Sequence, residues 1–582
     1  MSSSASSSKF KDDIEENNEF TPFLNKNKNN DNKILLPWYQ TPSIYFILPA
    51  FFLISFTIGL ELTARVKFNV QIVCQNYYYS KSEQEQQPHF LINFNNKFNN
   101  NDGDEMCDIP EIQSIASELM LILNLCSAIP GIFVLGLFGS LSDRKGRRII
   151  LLLAATGFGL NSLTVIFVGN FWEYVGSNYS KYLMLGYLLD GFLGGLLSLF
   201  ATIHAYAADC STPKQRSIIF GWVQGAMLMG IALGSVTSGL IVEATNNIIS
   251  VFYLSIILFV IFFLFVLFIL PESVSFDKRL ENHQPGNLIS WKQFSELLNI
   301  FTQLSIFLPK KSNQLNQLNQ LNQLNQLNRE QQQQTSEEGQ QRKNDDEEVF
   351  LNAGKYSLLI LICTYFILIS SAFGIQTVMF LYTSYVFKWS LIEQGYYILF
   401  AGISRAVVLA LFAELTRFVK RRSNDKNNKN NNNGNDGNDG NIIDDDNNNI
   451  IIIDEKEKRN GLLYDIWLIR FGLLIDSVAF FIYGLATNSI TFIFGGFFGS
   501  FGIIANSTIK SVQTNLVPSS QVGQLLGAIS AVENIARIIS PIVLNSMYSY
   551  LVVTTTPNVV WYTISGMLFF GVILMFLIVP KK

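Results

Sequence analysis

Long apolar segments recur along this chain, and they constrain its fold more than any other feature. A segment needs about 20 mostly apolar residues to cross a hydrocarbon layer of roughly 30 Å. Whole stretches consist almost entirely of Asn, Gln and Asp, yet 49% of the 582 residues are hydrophobic and only 15% are charged. Outside those polar stretches the sequence is too apolar for a soluble core, so we expect an integral membrane protein that crosses the bilayer many times.

The apolar segments predict an all-α membrane protein with twelve transmembrane helices in two pseudo-symmetric six-helix bundles. The predicted helices cover residues 43–64, 113–138, 149–170, 181–207, 217–243, 248–270, 356–386, 392–413, 462–487, 490–513, 520–548 and 558–580. The bundles occupy residues 43–275 and 353–582.

Polar segments separate and flank these bundles. We expect a disordered tail at 1–42 without a removable signal peptide, a linker at 276–352, and an Asn- and Asp-rich insert at about 423–460. Within the linker, apolar residues from Leu288 to Leu304 recur at helical spacing and predict a surface helix, either as a packing strut or as a regulatory element. The Asn-Gln-Leu triplets that follow indicate disorder.

The distribution of basic residues predicts the orientation. Counted over short loops, Lys and Arg concentrate on one side, which is typically the cytosolic side. That side would carry Arg144, Lys145, Arg147 and Arg148, then Lys214 and Arg216, Lys278 and Arg279, Arg417, Lys420, Arg421 and Arg422. Both termini and both long insertions should therefore be cytosolic.

The most specific motif lies between the second and third predicted helices. It reads Gly-Ser-Leu-Ser-Asp-Arg-Lys-Gly-Arg-Arg from Gly139 to Arg148. Glycine allows a tight turn at a helix end, and arginine binds carboxylates or lipid headgroups at the membrane surface. Asp143 and Arg147 are four residues apart, so we expect them to pair on one helical face.

This motif resembles the signature loop of the major facilitator superfamily at every defining position. A second stretch, from His204 to Arg216, is similar to the loop after the fourth helix in its tetracycline-efflux and proton-coupled folate transporter-like branches. Leu270-Pro-Glu-Ser273 after the sixth helix and Gln521 to Gly527 at the eleventh add to the resemblance.

The resemblance implies the major facilitator fold and transport of a small solute by alternating access. It also implies a conformational latch in which the acid of the loop lies against the start of the eleventh helix. The residues at those positions are Gly139, Asp143, Arg144, Gly146, Arg147, Arg148, Asp209 and Arg216. The antiporter signature of the fifth helix is incomplete because Ser235 and Ser238 replace its Pro and a Gly, so the direction of transport stays open.

Ionisable residues inside predicted spans are costly and indicate function. The strongest candidates for binding substrate or protons are Asp190, Arg405, Glu533 and Arg537, and Arg470 and Asp476 lie at comparable depth. The alternative is that these residues neutralise one another as buried pairs that hold helices together. That alternative is favoured for Arg470, Asp476 and Arg537.

Asp190 is the strongest of these candidates. It lies about ten residues into the fourth helix, or ~15 Å at the helical rise, which is near the middle of the bilayer. No other acid and no basic residue is expected at that depth in the first half. Such a carboxyl can bind and release a proton, bind a cationic substrate, or meet Arg405 across a cavity between the halves.

Covalent modification and sorting signals complete the sequence evidence. Cys74 and Cys107 fall in the first external loop and can form a disulfide in an oxidising compartment. Asn178 begins an external glycosylation sequon. Asp31 to Leu36 fits an acidic dileucine pattern, so the plasma membrane and the endolysosomal membrane are the expected locations.

Other function classes find no support in the sequence. We find no phosphate-binding Gly-Lys-Ser loop, no arrangement of a nucleophile with a base, no clustered metal ligands and no basic stripe for nucleic acid. We therefore expect no enzymatic activity, no cofactor and no metal, but a gradient-driven, proton-coupled transporter of a small organic solute. A non-transporting receptor or scaffold of the same fold and an uncoupled uniporter stay open as alternatives, and the oligomeric state is not predicted.

Overall fold

The structure is a computed structural model of the whole chain. It describes residues 42–85, 106–211, 216–274, 356–432, 446–517, 522–554 and 556–578. The predicted tail, the linker with its surface helix and Asn-Gln-Leu triplets, and the C-terminal lysines lie outside the described residues.

The described residues form long helices, and they contain no β-strand. The helices are α1 (Ile44–Glu85), α2 (Pro110–Lys145), α3 (Arg147–Asn170), α4a (Tyr179–Phe192), α4b (Gly195–Asp209), α5 (Arg216–Thr245), α6 (Ile249–Phe268), α7 (Ser357–Phe387), α8 (Leu391–Asn432), α9 (Asp446–Leu485), α10a (Ser489–Gly499), α10b (Ile503–Asn515), α11 (Val522–Val553) and α12 (Val559–Phe576). A short helical turn at Trp172–Val175 and a 3-10 turn at Gly176–Asn178 precede α4a.

These helices make up twelve segments that are long and apolar enough to cross a membrane. Helices α4a and α4b together form the fourth segment, and α10a and α10b together form the tenth. The predicted all-α architecture is thereby confirmed. We call the side with Cys74 and Cys107 the disulfide side, and the side with the turn between α2 and α3 the motif side. Which side faces the cytosol stays a prediction.

The predicted end of the first helix at residue 64 is wrong. Helix α1 continues to Glu85, 42 residues in all. Polar residues from Arg65 onward suggested that the segment had left the membrane. Arg65 instead finds partners inside the bundle, so its charge does not end the helix. The residues just before it, which include Glu61, therefore lie in the middle of α1.

The fourth and tenth helices are each broken, whereas the sequence predicted continuous helices at 181–207 and 490–513. The break in the fourth follows Phe192, and Gly194 and Gly195 adopt positive φ angles of 100° and 49° that favour glycine. The break in the tenth follows Gly499 and ends at Gly502. The two breaks occupy equivalent positions in the two halves.

Helices α8 and α9 extend into the insert that the sequence places at 423–460. Helix α8 continues to Asn432 and α9 begins at Asp446. Their apolar parts, Leu391–Phe412 and Gly461–Leu485, agree with the predicted spans. The polar sequence therefore starts within helices rather than at their ends.

The halves pack against each other chiefly through α5 with α8 and α2 with α11. A Cβ at Gly395 of α8 would lie 2.7 Å from the carbonyl oxygen of Ser235 of α5, so glycine permits this close approach. A hydrophobic cluster joins both halves. A second cluster belongs to the first half alone, and it lies toward the motif side.

Polar contacts between the halves gather on the disulfide side. Ser549 of α11 pairs with Ser114 of α2 at 2.6 Å and donates to Glu118 at 3.0 Å, and Ser117 donates to the carbonyl of Asn545 at 3.0 Å. Lys388, after α7, forms an ion pair with Asp108 at 2.7 Å. Together these contacts close the disulfide side.

Cys74 lies in the C-terminal third of α1, and not in a loop as expected, and Cys107 lies just before α2; the two form a disulfide with Cα atoms 5.4 Å apart. Both side chains are buried. The bond closes a loop with a sequence separation of 33 residues, and it ties the chain before α2 to α1.

We expect Cys74→Ser, Cys107→Ser and the double variant to lower the free energy of unfolding by the same amount, about 2–4 kcal/mol, because each removes the same bond. Thermal unfolding of the purified protein measures this. Cys126→Ser, which removes a free cysteine, is the control and should change little. Additive losses in the double variant would contradict the bond.

Candidate functional site

A cavity of about 360 Å³ lies between the two halves. Most of its wall comes from α1, α2 and α4, and α7 and α11 close it from the second half. The polar and charged side chains that line it are Glu61, Arg65, Asn69, Asn124, Ser127, Asn161, Tyr187, Asp190, Gln376, Thr377 and Arg537. Both halves therefore contribute polar groups to the same cavity.

Asp190 lies at the end of α4a, directly before the break in the fourth helix, and its side chain is buried with 5% exposure. Its Oδ2 accepts a hydrogen bond from Ser127 of α2 at 2.9 Å. Among the described residues its Oδ1 has no hydrogen-bond partner. A buried carboxyl oxygen without a partner is costly, and a proton or a ligand would satisfy it.

The break in the fourth helix places a helix start beside this carboxyl. Helix α4b begins at Gly195, and a Cβ there would lie 3.4 Å from Oδ2 of Asp190. The tenth helix repeats this arrangement, because a Cβ at Gly502, before α10b, would overlap the carboxyl of Asp476. The first turn of a helix carries partial positive charge that favours nearby anions. In transporters, discontinuous helices near the midplane mark binding sites.

The expectation that Asp190 is the lone acid at its depth in the first half is wrong. Glu61 of α1 lines the same cavity and forms an ion pair with Arg65. Arg65 also donates to Asn161 at 2.9 Å and to Ser162 at 3.2 Å, both on α3. This pair neutralises itself inside the first half. Its sequence signal was an acid and a base four residues apart within an apolar segment.

Arg537 of α11 enters the cavity from the second half. Its guanidinium lies over the ring of Phe373 of α7, 4.3 Å from the centroid. Its Nε has no hydrogen-bond partner, and no carboxylate lies within ion-pair distance, among the residues that the structure describes. The predicted buried pair for Arg537 is therefore not formed.

Glu533, one turn before Arg537, has other partners. It accepts a hydrogen bond from Tyr365 of α7 and forms an ion pair with Lys510 of α10b at 2.9 Å. Glu533 and Arg537 are four residues apart on α11, a spacing that allows two side chains to share one helical face. The carboxyl instead bonds to α7 and α10b, so it links three helices of the second half.

The remaining intramembrane charges lie outside the cavity wall. Arg405 is exposed and interacts electrostatically with Asp476, so it does not meet Asp190 across the cavity. Arg470 donates to the carbonyls of Met575 and Ile578 near the end of α12. The hypothesis of carboxylate pairs therefore fails for Arg470, whose donors are satisfied by backbone.

The motif between α2 and α3 forms a compact network on the motif side. Gly146 makes the turn with a φ of 106°, whereas Gly139 is helical. Arg147 donates to Asp143 at 2.6 Å, to Ser142 at 2.9 Å and to Asp209 at 3.1 Å. Asp143 and Arg147 thus pair across a turn, because α2 ends between them, and not along one helix as expected.

Glu272, which follows α6, caps the start of α3. Its carboxylate accepts from the backbone N–H of Arg147 at 2.8 Å and of Arg148 at 3.3 Å. The first N–H groups of a helix lack partners within the helix, so a carboxylate there stabilises it. The Arg148 side chain donates to the carbonyls of Val266 and Leu267 of α6. The Gly139–Arg148 motif and the Leu270–Ser273 motif therefore contact each other at the start of α3.

Four further residues that the sequence singled out, three for the latch and one for glycosylation, lie near the ends of helices. Arg144 is half-buried near the end of α2, and Asp143 keeps 56% of its side chain exposed. Arg216 begins α5, but its side chain is outside those described. Asn178 is exposed on the disulfide side and accepts a hydrogen bond from Lys181 at 2.9 Å.

The sequence profile of the Major Facilitator Superfamily matches residues 109–424, more than half of the chain. The chain belongs to this superfamily. The match covers the motif turn, the break in the fourth helix, α7 and most of α8.

Named relatives agree with membership of the superfamily. The chain is 20% identical over 539 residues to an MFS-type transporter, avaJ, of Aspergillus versicolor, across 92% of this chain and 87% of that protein. It is 24% identical to the proton-coupled folate transporter of Bos taurus across 35% of this chain and 41% of that one. It is 30% identical to the class B tetracycline resistance protein of Escherichia coli across 26% and 33%.

Solved structures share the fold. The human organic anion transporter MFSD10 matches with a TM-score of 0.51 at 16% identity, over 92% of this chain and all of that one. The inward open xylose transporter XylE of E. coli matches with 0.52 at 11%, over 93% and 97%. At these identities the likeness concerns the fold alone. With the family match, it supports a multi-pass membrane transporter that acts on a small molecule.

Several side chains of this superfamily member were missed by sequence reasoning. These are Glu61, Arg65, Ser127, Tyr365 and Lys510. Ser127 and Tyr365 carry no charge, so nothing in a single sequence distinguishes them from other polar residues in spans. Their importance depends on helix packing.

We expect Glu272→Ala to lower the free energy of unfolding by about 1–3 kcal/mol, because it leaves the first N–H groups of α3 without an acceptor. Glu272→Gln should lose less, since its amide oxygen still accepts. Thermal unfolding in detergent measures the change. Glu243→Ala, at an exposed glutamate near the end of α5, is the matched control, and an equal loss in both would contradict the capping role.

Proposed function

We propose that this chain is a secondary active transporter of a small organic solute, coupled to protons through Asp190. One observation carries the proposal. Asp190 is a buried carboxyl at the break of a discontinuous helix, it lines the cavity between the halves, and its Oδ1 has no partner among the described residues. A group in this position can take a proton from one side of the membrane and release it to the other.

The surroundings of Asp190 support a proton rather than a fixed partner. The charged groups near it in the first half are Glu61 and Arg65, which already pair with each other. Ser127 and Tyr187 are neutral. The Asp190 carboxylate is therefore not committed to a salt bridge, and its charge can be cancelled by a proton when substrate is present.

The relatives support coupling without naming the substrate. One is named a proton-coupled folate transporter, and it aligns over about a third of this chain. Another is named for tetracycline resistance. Proteins of one superfamily carry chemically different solutes, so the solute of this chain must be argued from its own cavity.

We propose alternating access as the mechanism, with rocking of the halves about the cavity. The structure supports it because the contacts between halves gather on the disulfide side. If the motif side is cytosolic, as the basic residues predict, this conformation faces inward. In the outward-facing form Asp143, Arg147 and Asp209 would serve as the latch against the start of α11.

We expect Asp190→Asn to abolish uphill accumulation of solute while leaving equilibration, because asparagine cannot carry a proton. Uptake and efflux of a small-molecule panel, at acidic and at neutral external pH, in cells that overexpress the protein measures this. A drop of at least about tenfold in the pH-driven gradient is expected. Asp476→Asn, at the equivalent break outside the cavity, is the matched control and should keep coupling.

Three outcomes separate the alternatives. Loss of accumulation with retained equilibration in Asp190→Asn supports the coupled carrier. Unchanged pH-independent flux in both forms supports an uncoupled uniporter. Absence of flux from a correctly located protein supports a receptor or scaffold, and it contradicts the proposed function.

Gly395→Ala tests the alternating motion. A Cβ at Gly395 would press on the Ser235 carbonyl in the other half and weaken closure of the disulfide side. We expect a cysteine placed at Thr377 in the cavity to react faster with an impermeant maleimide added on that side. Gly402→Ala is the control, since its Cβ would lie 3.8 Å from Ala232, an ordinary contact. Equal labelling rates would contradict the gating role.

A further inference from the structure

Arg537 is the cavity cation that forms no ion pair with a carboxylate among the described residues. Glu533, one turn away on α11, acts electrostatically on Arg537, but its carboxylate bonds to Lys510 and Tyr365. Arg65 is neutralised by Glu61, and Lys510 is neutralised by Glu533. Arg537 has neither an ion pair nor an acceptor for its Nε. An arginine stays protonated and an unpaired charge inside a membrane is costly, so a group that is absent from the empty carrier should supply the negative charge.

The geometry of this arginine suits a carboxylate. One face of the guanidinium is covered by Phe373, 4.3 Å from the ring centroid. The edges of the guanidinium carry its N–H donors, and a planar fork of donors matches the two oxygens of a carboxylate. Gln376 and Thr377 line the cavity nearby on α7 and offer further hydrogen bonds.

Between its polar groups, the cavity wall also carries several phenylalanines. Phe373 and Phe380 come from α7, and Phe158, Phe200 and Phe259 come from the first half. The volume of about 360 Å³ is near the lower end of the range for small-molecule sites, which is roughly 300–1,000 Å³. Such a space suits a flat body of roughly one or two fused rings.

We propose that the solute is a planar organic monoanion whose carboxylate binds Arg537 and whose apolar body lies along these phenylalanines. This inference rests on the proposed function and names its substrate class. Arg537 is then the specificity-determining residue, because its guanidinium binds the negative charge of the substrate.

Charge balance connects this site to Asp190. In the empty carrier the Asp190 carboxylate and the Arg537 guanidinium contribute opposite charges from the two halves, which sum to zero. In the loaded carrier the substrate carboxylate neutralises Arg537, and a proton from water binds the Asp190 carboxylate. Glu61 and Arg65 cancel in both forms. One proton therefore moves with one monoanion, and no net charge crosses the membrane.

Binding to the purified full chain tests the substrate class. The probes are naphthoate, naphthamide and naphthylmethylamine, which share a ring system and differ in charge. By calorimetry we expect naphthoate to bind at least about tenfold tighter than the other two. Arg537→Gln should lose at least about tenfold in naphthoate affinity, and Arg537→Lys should fall between, since lysine keeps the charge without the fork.

Arg470→Gln is the matched control, because it removes an intramembrane arginine whose donors bond to carbonyls outside the cavity. It should keep the naphthoate affinity. Thermal unfolding of each variant shows whether it is folded. If Arg537→Gln does not fold, the loss of naphthoate affinity is measured on Arg537→Lys instead. Equal naphthoate affinity in wild type and Arg537→Gln, tighter binding of the amide or the amine, or no binding of naphthoate would each overturn the proposal.

Flux in proteoliposomes separates this inference from the proposed function. Naphthoate uptake should follow an inward proton gradient and should not respond to a potassium diffusion potential. If a neutral or cationic solute accumulates with a proton gradient instead, the coupled carrier stands and the anion site fails. If naphthoate binds through Arg537 and no solute moves under any gradient, the anion site stands and the transporter fails.

Discussion

The ion pair of Glu61 and Arg65 is the interaction on which the first half depends. Inside a hydrocarbon layer a charge is tolerated when it is paired and hydrogen-bonded, and Asn161 and Ser162 of α3 complete the shell of this pair. Because Arg65 is satisfied, α1 continues through the membrane to Glu85 and ties to α3. Glu61 and Arg65 form part of the cavity wall, and beside them Asp190 has no ion pair among the described residues.

Local sequence signals predicted the fold well. Twelve apolar runs and the contiguous motif from Gly139 to Arg148 each carry their information within a short stretch, and the superfamily follows from them. The partners of buried charges did not follow, because pairing depends on how helices pack. The spacing of Glu533 and Arg537 would allow them to share a helical face, yet Glu533 bonds to Tyr365 and Lys510 instead.

The breaks in the fourth and tenth helices are a second feature whose surroundings could not be predicted from the sequence alone. Adjacent glycines at Gly194 and Gly195 were a visible signal inside an apolar run, whereas the meaning of the break required its neighbour Asp190 to be placed beside it. The second half repeats the break with Asp476 from another helix. Both halves thus contain a broken helix with a carboxyl beside the break. The two carboxyls differ in position, since Asp190 lines the cavity and Asp476 does not.

The position of the disulfide has a mechanical consequence. Asp108, which pairs with Lys388 of the other half, directly follows Cys107. The covalent bond therefore anchors the acid to α1, so Asp108 moves with the first bundle. Opening of that side would separate the ion pair of Lys388 with Asp108, the hydroxyl contacts of α2 with α11, and the close contact of α5 with α8. Reduction of the bond would remove this covalent link, and Asp108 could then move independently of α1.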